Sequence, residues 1–402
     1  MAKIVVLTAG STGDVEPFAA LAARLVTRGH GVVLAADAGF ERLAPGGGVA
    51  FAPLRADFRS LVPTPGRKRP SLRREAFPLI RGMLEDAWTV ARDVRPDVIV
   101  AHQKSLAAAH LAERLRIPHV QALTVPMLTP TREFPLPAVV RVDLGGRLNR
   151  ASYRLVGLLS GPYTGVIRRW RRDQLGLAPG GRSPAPARTL YCYSPSLVRT
   201  PRDWPSDTVA TGYWVRDNGA APDPPGGNLE DFVASALPPV YIGFGSAVGT
   251  DPARLGARVA GAVREAGVRA VVATGWGGMA DVGGRDTLVV ERAPHRWLFP
   301  RVAAVVHHGG AGTTAAGLLA GRPTVVCPFQ GDQHFWGAAV RRSGAGPAPL
   351  PVGRLTAGRL AAAIRTAVED PGIHARAAAL GQRIGGEDGT GRAAEEIEAV
   401  LR

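Results

Sequence analysis

Residues Val305–Gly317 read VVHHGGAGTTAAG. Val305 and Val306 end an apolar run of the kind that forms a buried strand. Two histidines follow, then three glycines within four residues, then threonines that open a helical pattern. Gly309, Gly310 and Gly312 remove side chains where a ligand must approach the backbone. The free N–H groups and the dipole at the start of the next helix favour an anion, phosphate above all. His308 adds a side-chain donor, and the threonine hydroxyls add more. His307 reads as a packed or capping histidine. A strand that leaves through a glycine loop into a helix also opens a βαβ unit, and so implies a parallel sheet.

The same pattern recurs along the chain. Lys3–Thr8 (KIVVLT) is a Val-rich strand and AGSTGDVEP a glycine-bearing loop. Phe18, Leu21, Ala22, Leu25 and Val26 then repeat at helical spacing before Gly29. GVVLAA, DVIVA and IPHVQAL continue as strands, with a helix over Ser105–Leu115. A second series starts near Pro239: PVYIGFGS, a helix over Leu255–Ala266, RAVVATG, TLVVERAP, a short helix at HRWLFPRV, AAVVHHGG, a helix over Thr313–Ala320, and PTVVCPF. Between the two series, Asn218–Asn228 has the composition of a linker. These marks place a first domain at 1–217, a linker at 218–230, a second domain at 231–385, and a C-terminal helix within 386–402 that packs back on the first domain. Residues 126–175 are less regular; they suit long loops and short helices over a cleft, or a helical insertion.

Composition sets the outer bounds. The 402 residues are 46% hydrophobic and 20% charged, which excludes disorder and allows two or three domains. Lys and Arg outnumber Asp and Glu by 49 to 33, a net charge of +16. That charge suits an anionic substrate or a peripheral contact with a membrane surface, and equally an Arg-rich base composition. The cluster RKRPSLRR at 67–74 lacks the interleaved aromatics of a single-strand binder, so no nucleic-acid partner is expected. Cys192 and Cys327 have no metal spacing and read as buried thiols. The opening MAKIVVLTAG is too short for a signal peptide and no apolar run approaches a membrane span, which points to the cytoplasm.

PFQGDQHFWG, Pro328–Gly337, is a further strand exit into a helix. Asp332 and Gln333 offer a carboxylate and a two-faced amide, a pair suited to sugar hydroxyls. Asp332 could equally be an N-cap, with Phe335 and Trp336 packed inward. Asp14, in the first glycine loop, could likewise be an N-cap, with Pro17 tolerated in the first turn.

Together GSTGDVEP, GFGS, RAPH followed by WLF, HHGGAGTT and PFQGDQHFWG resemble the UDP-glycosyltransferase superfamily. The nearest groups are the bacterial natural-product enzymes of the glycopeptide-antibiotic type and the sterol glucosyltransferases. The resemblance is specific over Gly243–Gly337 and Gly10–Pro17, and poor from about 50 to 210. It implies an α/β chain of GT-B fold, with two Rossmann-like parallel-sheet domains facing across a cleft. The first domain would bind the acceptor and the second the nucleotide sugar.

Residue by residue, the resemblance implies that the donor diphosphate lies on His308, Gly310, Gly312 and Thr313. Ser246 would meet it from the other side, unless it is only a turn serine. Ala293, Pro294 and His295 would meet the pyrimidine through backbone groups. Arg292 stands where plant relatives carry a stacking Trp, which leaves Trp276 or Trp297 to pack on the base or in the core. Asp332 and Gln333 would hold sugar hydroxyls. Asp14 would be the base; a carboxylate of pKa about 4 can take the acceptor's proton late, as attack develops. His102 and His119 are rival bases. Phe58, Met127, Phe134 and Leu136 are candidates for an apolar acceptor lining.

The expected activity is inverting and metal-independent, with no cofactor beyond the nucleotide-sugar co-substrate and no Asp-x-Asp metal pair. It moves a hexose or deoxyhexose from a UDP- or dTDP-sugar to a hydroxyl of a hydrophobic natural product, such as a polyketide or macrolide, or of a sterol. GDQHFWG leans toward sterol and UDP-glucose; the Arg- and Ala-rich composition leans toward a polyketide. A monomer or homodimer is expected. The alternatives are a nucleotide-sugar epimerase or hydrolase of GT-B fold, a non-catalytic partner protein of that fold, and a nucleic-acid binder.

Overall fold

Lys3–Leu7 (β1) is apolar on both sides because both sides are covered. Ile4 and Val6 enter one core cluster, Val5 and Leu7 another, and all four are 0% exposed. The strand sits inside a parallel sheet of order β3-β2-β1-β4-β5-β6-β7. The others are β2 (Gly31–Asp37), β3 (Val49–Leu54), β4 (Val98–His102), β5 (His119–Leu123), β6 (Arg188–Tyr191) and β7 (Thr208–Ala210). Val5 lies level with Val33 on one side and Ile99 on the other. The second sheet, also parallel, runs β10-β9-β8-β11-β12. Its strands are β8 (Val240–Gly243), β9 (Ala270–Ala273), β10 (Thr287–Val290), β11 (Ala304–His307) and β12 (Thr324–Val326). This computed structural model describes all residues except 45, 59–71, 158–160, 182, 217–224, 246–250, 276–278 and 280–281.

The described α-helices of the first half are α1 (Thr12–Thr27), α2 (Phe77–Val94), α3 (Ala108–Leu115), α4 (Gly146–Ser152) and α5 (Thr164–Asp173). Those of the second are α6 (Gly227–Ala234), α7 (Pro252–Ala266), α8 (His295–Leu298), α9 (Ala311–Leu319), α10 (Gln333–Ser343), α11 (Ala357–Glu369), α12 (Pro371–Gly385) and α13 (Gly389–Val400). Two sequence expectations shift. The linker is shorter than 218–230, because α6 already begins at Gly227. Pro17 is the sixth residue of α1, in its second turn, where it withholds the N–H that Gly13 C=O would otherwise accept.

The chain crosses back at its end. Ala393, Ala394 and Ile397 of α13 share a core with Phe18 and Leu21 of α1. Arg28 pairs with Glu398 at 2.7 Å, Arg188 with Glu396 at 3.1 Å, and Arg24 with Asp388. A further apolar cluster joins the halves: Tyr193, Trp204 and Tyr213 meet Leu318, Trp336 and Leu380. The carboxyl ends of both central strands, and the helix starts that follow them, therefore face one cleft.

Candidate active site

The loop after β1 turns through Gly10, at φ +130°, into α1. Ser11 is the N-cap, and Asp14 is the third helical residue. Asp14 reaches back, so that Ser11 N and Ser11 Oγ donate to its Oδ2 at 2.7 and 2.8 Å. Lys104 Nζ donates to the same oxygen at 2.7 Å. Oδ1 lies 3.4 Å from His102 Nε2. The carboxylate is thus crowded on one oxygen and open on the other. Burial alone would raise its pKa, but the Lys104 charge, His102 and the Lys104 and Ser11 hydrogen bonds bring it down to about 2. That is lower than the ordinary value expected from the sequence, so Asp14 is an ionised and weak base.

The rival histidines are excluded from direct contact with an acceptor. His102 closes β4 and is 0% exposed; burial holds its pKa at about 4 against the pull of Asp14. It can touch Asp14 and no substrate. His119 starts β5, at the opposite end of the sheet from the cleft, and is buried. Lys104 is the residue that sequence reasoning missed; pairing of β1 with β4 brings its loop beside Asp14.

Across the cleft, β11 ends at His307 and α9 begins after Gly310, whose side carries no cap. Among the described residues, the amides of Ala311, Gly312 and Thr313 meet no acceptor. A side-chain carbon added to Gly312 would lie 3.4 Å from Gly13 Cα, so the two glycine loops touch. His308 packs beneath this turn; a side-chain carbon on Gly310 would stand 2.6 Å from its Nε2. Burial lowers the His308 pKa to about 4, which keeps the ring neutral rather than cationic. His307 is a packed histidine: its Nδ1 accepts from Gly309 N at 2.9 Å. Thr313 is half-buried and available, but Thr314 is not. Its hydroxyl donates to Gly310 O at 2.9 Å, which removes one of the two threonine donors expected from the sequence.

Asp332 and Gln333 begin α10. Asp332 holds the N-cap position without capping through its side chain; its Oδ2 accepts from Trp336 Nε1 at 2.9 Å. Burial raises its pKa, and the charges of Asp14 and Lys104 both act on it, which puts it on the same cleft. Gln333 Oε1 accepts from Phe329 N at 2.8 Å and Gln330 N at 3.0 Å. Only its NH₂ is left for a ligand, a correction to the two-faced role. His295 is stacked on Phe299 at 4.3 Å and bonded to Tyr241 at 3.1 Å, so its ring is occupied within the protein. Ala293 is half-buried against the same cluster, and Trp297 is core. Ser246 and Trp276 lie outside the described residues.

The four acceptor candidates do not come together. Leu136 is 0% exposed and cannot line an open cleft; its amide is held by Ser152 Oγ at 2.8 Å. Phe58 packs on the cluster under α2. Met127 and Phe134 belong to the cluster between the domains, where Phe134 meets Phe335 of α10 edge-on at 5.3 Å.

Residues 4–134 match the glycosyltransferase family 28 N-terminal domain, and residues 280–392 match the erythromycin biosynthesis protein CIII-like C-terminal domain. A sterol 3-beta-glucosyltransferase of Arabidopsis thaliana is 35% identical over 428 residues, covering 99% of this chain and 68% of that one. A sterol 3-beta-glucosyltransferase of Emericella nidulans is 36% identical over 427 residues, covering 100% of this chain and 30% of that one. The chain thus spans under a third of the length of such fungal relatives. In the solved structures, the glycotransferase of kitacinnamycin shares the fold, with a TM-score of 0.72 at 21% identity over 100% of this chain and 99% of that one.

Proposed function

Because this chain belongs to the UDP-glycosyltransferase superfamily of GT-B fold, we propose that it transfers a hexose from a UDP-sugar to a hydroxyl of a lipophilic alcohol, a sterol foremost. The observation that carries the reading is the open start of α9, in contact with the loop that bears Asp14. A diphosphate fits the free amides of Gly312 and Thr313, with His308 as a neutral donor beside them. The sugar then points toward Asp332 and Gln333, and its anomeric carbon toward Asp14. The acceptor oxygen attacks that carbon, the bond to the diphosphate breaks, and the proton passes to Asp14 Oδ1. Attack from the side opposite the leaving group inverts the anomeric centre. Charge that develops on the diphosphate is stabilised by helix amides, a role a metal fills elsewhere. The names of the relatives favour sterol and UDP-glucose over a polyketide and a dTDP-sugar.

The test is transfer from UDP-glucose to a detergent-solubilised sterol by the wild type and by Asp14→Asn. The variant is expected to keep UDP affinity and lose turnover by roughly 10²–10⁴. Wild-type turnover in the variant removes Asp14 as the proton acceptor.

A further inference from the structure

The stretch 131–155 holds buried polar side chains beside exposed apolar ones. Three of its polar side chains are buried: Thr131, Asn149 and Ser152 are 0%, 1% and 8% exposed. Each is fully engaged. Asn149 Nδ2 donates to Asp143 Oδ1 at 2.7 Å and its Oδ1 accepts from Leu144 N at 2.9 Å. Ser152 Oγ donates to Asn149 O at 2.6 Å, and Thr131 Oγ1 to Asp203 at 2.6 Å. Leu136 and Tyr153 are buried, but five apolar side chains face outward. Val142 is 64% and Leu148 62% exposed, and Val139, Leu144 and Leu155 are 36–40% exposed. Arg141, Arg147, Arg150 and Arg154 are exposed among them. Arg150 is paired with Asp203; for the other three no ion pair is found among the described residues. Two acids of the stretch are exposed: Glu133 accepts from Arg202 N at 2.9 Å, and Asp143 is drawn onto Asn149 and the Gly145 amide.

We propose that this surface is a membrane-docking site for an anionic leaflet: arginines on the headgroups, Val142 and Leu148 in the headgroup–acyl boundary. Exposed apolar tips among unpaired cations match that boundary on both counts. A second copy of the chain fits worse, since an isologous contact would set arginine against arginine. Among the described residues no helix is long and apolar enough to cross a membrane, so attachment here is at the surface. The site adjoins the cleft: Phe134 meets Phe335, and the charge of Arg141 acts on His334 of α10. The inference needs no particular reaction and stands apart from the transferase reading.

The test is co-sedimentation of the full chain with phosphatidylcholine vesicles, with and without phosphatidylserine. The wild type is expected to pellet with the anionic vesicles only, and less as salt rises. Val142→Asp/Leu148→Asp and Arg147→Glu/Arg154→Glu are each expected to weaken this by at least about tenfold, with unchanged melting temperature because all four sites are exposed. The proposal is overturned if the wild type stays in solution, or if either double variant pellets as the wild type does. It is also overturned if sedimentation velocity shows a dimer that the apolar double variant dissolves, which would make the patch a protein interface.

Discussion

Asp14 closes the first turn of its helix and faces the cleft with the same carboxylate. Its neighbours therefore set both its geometry and its basicity. Lys104 is the strongest lever, because it is a full charge at 2.7 Å. Lys104→Met should let the Asp14 pKa rise from about 2 toward the ordinary carboxylate range. The ionised form is the active one, so the acid limb of the kcat/KM profile should move to higher pH. Cys192 and Asp332 lie within reach of the Asp14 charge, and both are held mainly by burial, so neither replaces Lys104. Lys104→Arg should restore the wild-type profile; an unmoved limb in Lys104→Met would show that Lys104 does not tune Asp14. Nothing in AHQKS singles out this lysine. Its partner is 90 residues away in sequence, and only the β1–β4 pairing brings them together. Asp14 itself stood out in the sequence as either a helix cap or the base, and it does take a capping place, as the third residue of its helix.

At the scale of elements, the start of α9 is an uncapped positive pole. Thr313→Asp puts a carboxylate of nearly the same size in that first turn. It should leave the melting temperature unchanged or raise it slightly, by roughly 0.3–1 kcal/mol of stabilisation. The same charge should abolish the thermal shift given by UDP; a shift that survives would show that the diphosphate binds elsewhere. Opposite effects on stability and affinity separate a binding role from a folding role. This element was readable because VVHHGGAGTT joins a β pattern to a helix start through glycines. β6 and β7 were not, since RTLY and TVA are too short to show a period. α2 was not legible either, although Ile80, Met83, Leu84, Ala87 and Ala91 keep helical spacing, because a basic stretch just before it masks the start.

At the scale of the whole molecule, two parallel sheets share one cleft and an apolar seam that ends in α12. The two-domain pattern was visible in the repeated strand–glycine–helix units, whereas the seam was not, because it joins residues far apart in sequence. The fold also buries or half-buries histidines in both domains: His102, His110, His295 and His308 are each held at about 4, by desolvation first. The unfolded chain takes up protons on these rings below about 6.5 while the folded chain refuses them until about 4. Stability should therefore fall as pH drops through that window, and differential scanning calorimetry should show a falling melting temperature; a flat profile would contradict the burial of these rings. The central claim is that α9 grips the diphosphate, and a crystal structure of the UDP complex tests it most directly. The account predicts phosphate oxygens on the amides of Gly312 and Thr313, with His308 alongside; a nucleotide bound away from that helix start would contradict it.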